Sequence, residues 1–467
     1  MKKNKEAQAK TFKMPHTYVI LIGITICIAI LSYFIPASNY DTVQVGEQTV
    51  VDPNTFHYVE QTPVKPMQLL TAIPRGLQEA SQITFFIFIL GGAFSIVNST
   101  RAMEVGVGNL AKRMQNHPGL VIPVLVAAFS LLGATAGMLE ETLVFIPICV
   151  MLARNLGYDA MVGTAVVFLG ASSGFNSGFM NPFTVGVAQT IAELPMFSGL
   201  SYRLILWIVF VIITSLMILA YAKKVKANPE ASLVYDLEQK SKDQIVDINN
   251  VEALTKTHIT VLILFMSALI FIVYGIINWG FGINEIAGVF LALGIISGFI
   301  GGFSPSEMAV TFIQGAKDIA MGALVVGIAR SILVVLNDGQ IIYTIVHSAS
   351  ILIQKVSTNV AAIFMFLFQL LLNFFIPSGS GQAATTMPIM TPLADITGIS
   401  RQTAVLAFHM GDGISNSIIP TGGALLAALS MTSIDYEKWV KFAWKIVLAW
   451  TLVACVFAGM AGVIGYK

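Results

Sequence analysis

Charge is scarce in this chain: of 467 residues only 11% are Asp, Glu, Lys or Arg, where a soluble globular domain usually carries about a quarter. With 56% of residues hydrophobic, water is not its main solvent. The formal net charge of +1 leaves no broad basic face, which excludes nucleic acid as a partner. Cysteine is almost missing. Cys27, Cys149 and Cys455 all lie in apolar stretches without a CxxC spacing, so neither a disulfide framework nor a zinc site is expected. There is no HExxH, no GxSxG and no GxxxxGK[ST], so hydrolytic and ATP-driven enzymes lack their usual parts. No small-residue cleavage site follows the first apolar run, which reads as a retained span rather than a signal peptide.

What is present is length of apolar chain. Runs such as Tyr18 to Ile35, Leu204 to Tyr221, Ile259 to Ile277 and Ile446 to Ile464 approach the roughly 20 residues that cross a bilayer. The expected fold is an all-α polytopic membrane protein surrounded by lipid, with spans near 17–36, 81–98, 160–190, 201–222, 258–279, 284–302, 320–336, 402–428 and 437–465. Lys2, Lys3, Lys5, Lys10 and Lys13 precede the first span, and Lys223, Lys224, Lys226, Lys240, Lys242 and Lys256 crowd the longest interior polar loop. By the positive-inside rule both belong in the cytoplasm, which places the chain in a cytoplasmic membrane with its N-terminal segment, 1–16, inside.

Two apolar segments, 120–154 and 360–396, are interrupted by GATAGMLEET and PSGSGQAATT. Each reads as a re-entrant hairpin, because irregular backbone at membrane depth must be buried in protein or line a wet cavity. The stretches 104–116 and 339–356 before them read as interfacial amphipathic helices. The chain also resembles itself at an offset of about 240 residues. Pro66, Gly76 and Asn98 pair with Pro305, Gly315 and Asn337 at one spacing; Tyr33, Pro147, Gly157 and Gly170 pair with Tyr274, Pro388, Gly398 and Gly411 at another. Two repeats follow, 17–222 and 258–467, joined by a cytoplasmic linker, 223–257. The span at 284–302 has no first-half counterpart, so the second hairpin should enter from the opposite side: an inverted repeat with its substrate site near the midplane.

After each hairpin a long apolar segment is broken, at GASSGFNSGFMNP (170–182) and GDGISNSIIPTG (411–422). Unwound backbone there frees carbonyls and helix ends to act as ligands, and Asn176, Ser177, Asn181, Asn416, Ser417 and Thr421 are the candidate side chains. A glycine-rich packing face is the structural alternative. Glu140 and Glu141 fall at the first tip and Asp412 in the second break. A carboxylate at membrane depth costs about 3 kcal/mol, so such groups mark an ion or substrate path or pair with a buried cation. Arg330, within the span 320–336, is the alternative, structural partner for one carboxylate, and even then at least one acid is left to bind a cationic substrate or a proton. Ser378, Ser380 and Gln382 at the second tip offer uncharged donors and acceptors. His409 is expected to be a hydrogen-bonded structural group, with proton binding as the alternative. Lys317 and Asp318 read as membrane-edge residues. No cofactor or metal is implied; proton and sodium both remain open as coupling ions.

These residues also carry a family likeness. Over nearly its whole length the chain resembles the C4-dicarboxylate anaerobic carrier (DcuC) family, in its YfcC branch of basic amino acid antiporters. The likeness is carried by KMPHTYVILIG at 13–23, GMLEET at 137–142, IPSGSGQAATTMPIMTPLADITGISRQTAVLAFHMGDG at 376–413 and SNSIIPTGG at 415–423. It implies an elevator-type transporter with a moving transport domain and a scaffold domain that forms a homodimer. Related dicarboxylate carriers have uncharged Ser-Asn-Thr tips, whereas this chain has Glu140 and Glu141. Arginine/ornithine exchange is therefore the leading expectation, since a carboxylate holds a guanidinium bidentately. A C4-dicarboxylate or other small carboxylate is the second, and a channel or intramembrane enzyme a distant third.

Overall fold

The computed structural model describes residues 17–45, 48–52, 54–114, 118–240 and 252–467. The N-terminal lysine segment and most of the polar linker, including Lys242, lie outside the described residues. The first half comprises α1 (Thr17–Leu31), α2 (Pro66–Glu79), α3 (Ser81–Ser99), α4 (Ala102–Met114), α5 (Pro118–Ala136), α6 (Ile146–Asn155), α7 (Ala160–Phe175), α8 (Val187–Ile191) and α9 (Leu200–Ala227). After α10 (Tyr235–Lys240) come α11 (Lys256–Trp279), α12 (Ile283–Ile300), α13 (Pro305–Asp318), α14 (Ala320–Asp338), α15 (Ile342–Ile353), α16 (Thr358–Leu372), α17 (Gly379–Thr397), α18 (Arg401–Ser415), α19 (Gly423–Thr432) and α20 (Tyr436–Ile464). The all-α expectation needs one correction. The loop after α1 holds two antiparallel ribbons, β1 (Ser38–Asn39) with β4 (His57–Tyr58) and β2 (Thr42–Val45) with β3 (Gln48–Val51), where alternating Val and Thr suit a pleated strand.

Among the described residues, α9, α12 and α20 are each long and apolar enough to cross a membrane unbroken. At about 1.5 Å per residue the 28-residue α9 extends about 42 Å, more than the roughly 30 Å hydrocarbon core. The expected spans at 81–98 and 320–336 are instead parts of bent pairs: α2 and α3 meet at 54°, α13 and α14 at 46°. The sequence reading missed α2 and α13, since each carries polar residues and opens on a proline that looked like loop. Proline at a first helical position is well tolerated because its missing N–H would have no partner anyway.

The bent pairs cross reciprocally. A Cβ on Gly76 of α2 would fall 2.4 Å from the Gly327 carbonyl of α14, and one on Gly315 of α13 would fall 2.4 Å from the Gly91 carbonyl of α3. Only glycine allows backbones that close. Ion pairs brace the α2–α14 crossing. Arg75 grips Asp338 through two nitrogens at 2.6 and 2.9 Å, and Arg330 Nε donates to Glu79 at 3.1 Å. The expected pairing of Arg330 with a midplane acid is thus overturned: the half-exposed α14 surface that carries Arg330 faces α2, and Glu79 satisfies it there.

Several polar contacts between distant segments lie toward the two ends of α9 and α20. At one end Arg101 pairs with Glu252, Arg154 with Glu238, and Lys438 with Asp236; Asp159 caps α7 and accepts from Tyr221 and Ser232. At the other, Ser38 meets Thr344, Arg401 pairs with Glu193 and Asp395, and Gln402 donates to the Ser198 carbonyl. α9 and α20 run from end to end. The hairpin of α5 and α6 opens to the first end and that of α16 and α17 to the second.

The candidate substrate site between the broken helices

The sequence GATAGMLEET ends α5 because Gly137 takes φ +65°, a left-handed conformation that costs glycine nothing. The chain then tightens into a 3-10 turn, Glu141–Phe145, before α6. This first tip sits on the first break: a Cβ at Gly137 would lie 2.7 Å from Asn181 Oδ1, and Met180 N–H donates to the Ala134 carbonyl at 3.0 Å. α7 stops at Phe175, Gly178 supplies a second positive φ, and a π-helical turn, Pro182–Gly186, restarts the chain into α8. The break is packed as well as open, since a Cβ on Gly174 would fall 1.7 Å from the Ser130 carbonyl of α5.

The second hairpin is pinned from within. Gln382 donates to the Gln369 carbonyl at 3.0 Å and to its side-chain oxygen at 2.7 Å, tying α17 to α16. Asn373, at the end of α16, donates to the Asp412 carbonyl, Ser415 Oγ and Asn416 Oδ1 at 2.9, 2.8 and 2.8 Å, tying the tip to the end of α18. Ser378 caps α17 by accepting from Gly381 N–H, Ser380 is exposed, and Gly379 brings the helix start against both breaks: a Cβ there would lie 2.4 Å from Thr184 Cγ2 and 3.0 Å from Asp412 Oδ2.

The two breaks touch each other. A Cβ on Gly413 would fall 2.6 Å from Asn176 Oδ1, and His409 Nε2 donates to the Phe175 carbonyl at 2.5 Å, the hydrogen-bonded role read for it. Around this crossing, buried polar atoms lack protein partners among the described residues: both side-chain atoms of Asn176, both carboxylate oxygens of Asp412, and the hydroxyls of Thr184, Ser417 and Thr421, together with Glu141 Oε2 and Gln382 Oε1. Asn416 lies near enough to act on Asp412, as does Glu140. None of the three acids makes an ion pair among the described residues. Buried polar groups are normally satisfied; at this crossing amides, hydroxyls and acids are not.

Other candidates make hydrogen bonds within the protein. Ser177 Oγ donates back to the Gly174 carbonyl at 2.7 Å, Asn181 Oδ1 accepts from Thr184 N–H at 3.3 Å, and Asn416 is held by Asn373. The sequence reading missed Asn373, Gln369, Thr184 and Arg203. Asn373 and Gln369 were legible as polar residues four apart in the apolar run FQLLLNFF, one helical face. A cavity of about 350 Å³, within the size range of small-molecule sites, reaches the second tip from the ribbon side, lined by Ser378, Gly381, Asn337, Gln340 and Arg330 among others.

Residues 14–461 match the family of C4-dicarboxylate anaerobic carriers, DcuC. The chain is 34% identical to the "Putative basic amino acid antiporter YfcC" of Escherichia coli K12, covering 92% of this chain and 93% of that one. It is 29% identical to an uncharacterized protein of Haemophilus influenzae over 93% of this chain and 94% of the other. Among solved structures, the YdaH transporter of Alcanivorax borkumensis aligns at 14% identity with a TM-score of 0.44, over 96% of this chain and 99% of that one. MtrF of Neisseria gonorrhoeae, described as one of a class of antimetabolite efflux pumps, aligns at 16% identity with a TM-score of 0.41, over 95% of each. Both superpositions are too loose to carry an argument about mechanism.

Proposed function

We propose, from the premise that this chain belongs to the C4-dicarboxylate anaerobic carrier family and is therefore a membrane transporter and not an enzyme, that it exchanges basic amino acids, arginine against ornithine, across the cytoplasmic membrane. The observation that carries this reading is the acid cluster: Glu140, Glu141 and Asp412 converge on the crossing of the two breaks with no cationic partner among the described residues. A dianion brought there meets three acids; a guanidinium or ammonium meets charge-assisted hydrogen bonds. The described relative in Escherichia coli supports the same cargo class.

Alternating access by an inverted repeat is the companion proposal. It is supported by the hairpins opening to opposite ends, by the reciprocal Gly76 and Gly315 crossings, and by the order of elements, in which α5 to α9 recur as α16 to α20. We place the N-terminus in the cytoplasm, which puts the Arg101, Arg154 and Lys438 end inside. The bent pairs form the scaffold and dimer face, and the hairpins with their broken helices form the moving part. Proton or sodium coupling stays open in this reading.

One observation favours a second cargo. The start of α17, with Ser378 and Ser380, points a helix N-terminus toward the site, which suits a carboxylate. Counterflow in proteoliposomes decides between them: loaded ornithine should drive uptake of labelled arginine. Uptake of succinate driven by loaded succinate, with no arginine exchange, would make the second reading the right one.

A further inference from the structure

The start of α9 carries a group that the acid cluster and the hairpins do not use. Arg203 is fully buried. Its Nε donates to the Tyr466 hydroxyl at 3.2 Å, which in turn donates to the Gly199 carbonyl at 2.6 Å. Neither terminal guanidinium nitrogen has a partner among the described residues. A guanidinium stays charged and presents its N–H groups as a planar fork, and a buried charge without a partner is costly by several kcal/mol. The fork matches one chemistry above others, a carboxylate held bidentately.

Its surroundings place that carboxylate. Arg203 acts electrostatically on His409. Because His409 Nε2 donates to Phe175, its Nδ1 is an acceptor, and it too has no partner among the described residues. His409 and Asp412 are three residues apart on α18, a rise of about 4.5 Å along one face. A neutral acceptor and an acid therefore follow one another along a turn of α18, with the positive fork of Arg203, on α9, within electrostatic reach of the first.

We propose that Arg203 binds the carboxylate of the transported molecule, with His409 Nδ1 accepting from its α-ammonium group and the Asp412, Glu140 and Glu141 cluster receiving the cation at its far end. The cargo is then an amino acid with a terminal cation, and the carboxylate is required rather than tolerated. This rests on the basic amino acid reading of the same site and names the part of the cargo that reading leaves unassigned.

Arginine and agmatine, which share the guanidinium and differ in the carboxylate, test it. Purified wild-type protein and the R203Q and R203K variants are compared for thermal stabilisation by arginine, agmatine and succinate, and for counterflow after reconstitution. The expected result is a wild-type preference for arginine over agmatine of about 100-fold or more, falling to within about threefold in R203Q and partly kept in R203K. The preference is a ratio within one variant, so loss of folded protein, which lowers both responses, does not imitate it. An unchanged preference in R203Q overturns the role of Arg203 and leaves the basic cargo standing. If succinate alone stabilises the wild type and R203Q abolishes that response, the cargo reading falls and the carboxylate site stands. No stabilisation of the wild type by any of the three overturns the proposal.

Discussion

The two hairpin tips occupy corresponding places in the chain and are chemically unlike. At the common spacing of the later matches, Glu140 and Glu141 of the first tip correspond to Gly381 and Gln382 of the second, while Asp412 in the second break corresponds to Ala171 in the first. Acid is thus found on one tip and on the opposite break, and these are the elements that meet at the crossing. The first tip is a 3-10 turn leaving Glu141 Oε2 without a partner among the described residues. The second is stapled by Gln382 and Asn373 and begins a helix at once. The difference teaches that the two tips, alike in their place in the chain, differ in chemistry: carboxyl groups stand on the first tip and the second break, and uncharged donors and acceptors on the second tip.

Five substitutions break or sharpen that contrast. Asp412→Asn removes the acid nearest the second tip while keeping its shape. Exchange of labelled arginine should fall about 100-fold, near 2.7 kcal/mol, with the protein still monodisperse; near-normal exchange would take Asp412 out of the site. Asn373→Ala removes the two N–H donors that Asn373 shares among three acceptors at the end of α18. A loss of about 2 kcal/mol of stability, read from thermal or denaturant unfolding in detergent, is expected. An unchanged midpoint would mean that the second tip is not stapled in this way.

Glu140→Gln and Glu141→Gln, made separately, address the first tip. At least one should reduce arginine counterflow about tenfold, close to 1.4 kcal/mol. Normal exchange in both would remove the charge contrast between the tips. The smallest effect belongs to Arg330→Gln, which breaks a half-exposed pair with Glu79 at 3.1 Å. Less than about 1 kcal/mol of stability should be lost, with arginine selectivity kept. A collapse of arginine selectivity would return Arg330 to the substrate site through the cavity that it lines.

Helix periods, breaks and caps were legible in the residues because they are local. The apolar runs marked α9, α11, α12 and α20, and the glycine-rich strings located both breaks. The elements that escaped, α2 and α13, mix polar and apolar residues over a short length, and hydropathy alone does not separate such a helix from loop. Of the site, the acids and the amides were visible as polar residues in apolar surroundings. Their partners were not. Arg330 stood as the alternative partner of a midplane acid because it falls within the expected span 320–336, yet its partner Glu79 lies 251 positions away.

By itself the sequence determined a multi-pass membrane protein, and it led to the expectation of two related halves with acids at membrane depth. Burying a charge is expensive wherever it occurs, so that inference needs no coordinates. Only the tertiary structure decided which polar groups are consumed by the scaffold and which are left for a ligand. Asn416 is engaged by Asn373, while Asn176, Asp412 and Arg203 keep unpartnered atoms among the described residues. Hydrogen-bond satisfaction depends on distances between segments far apart in the chain, and folding alone fixes those distances.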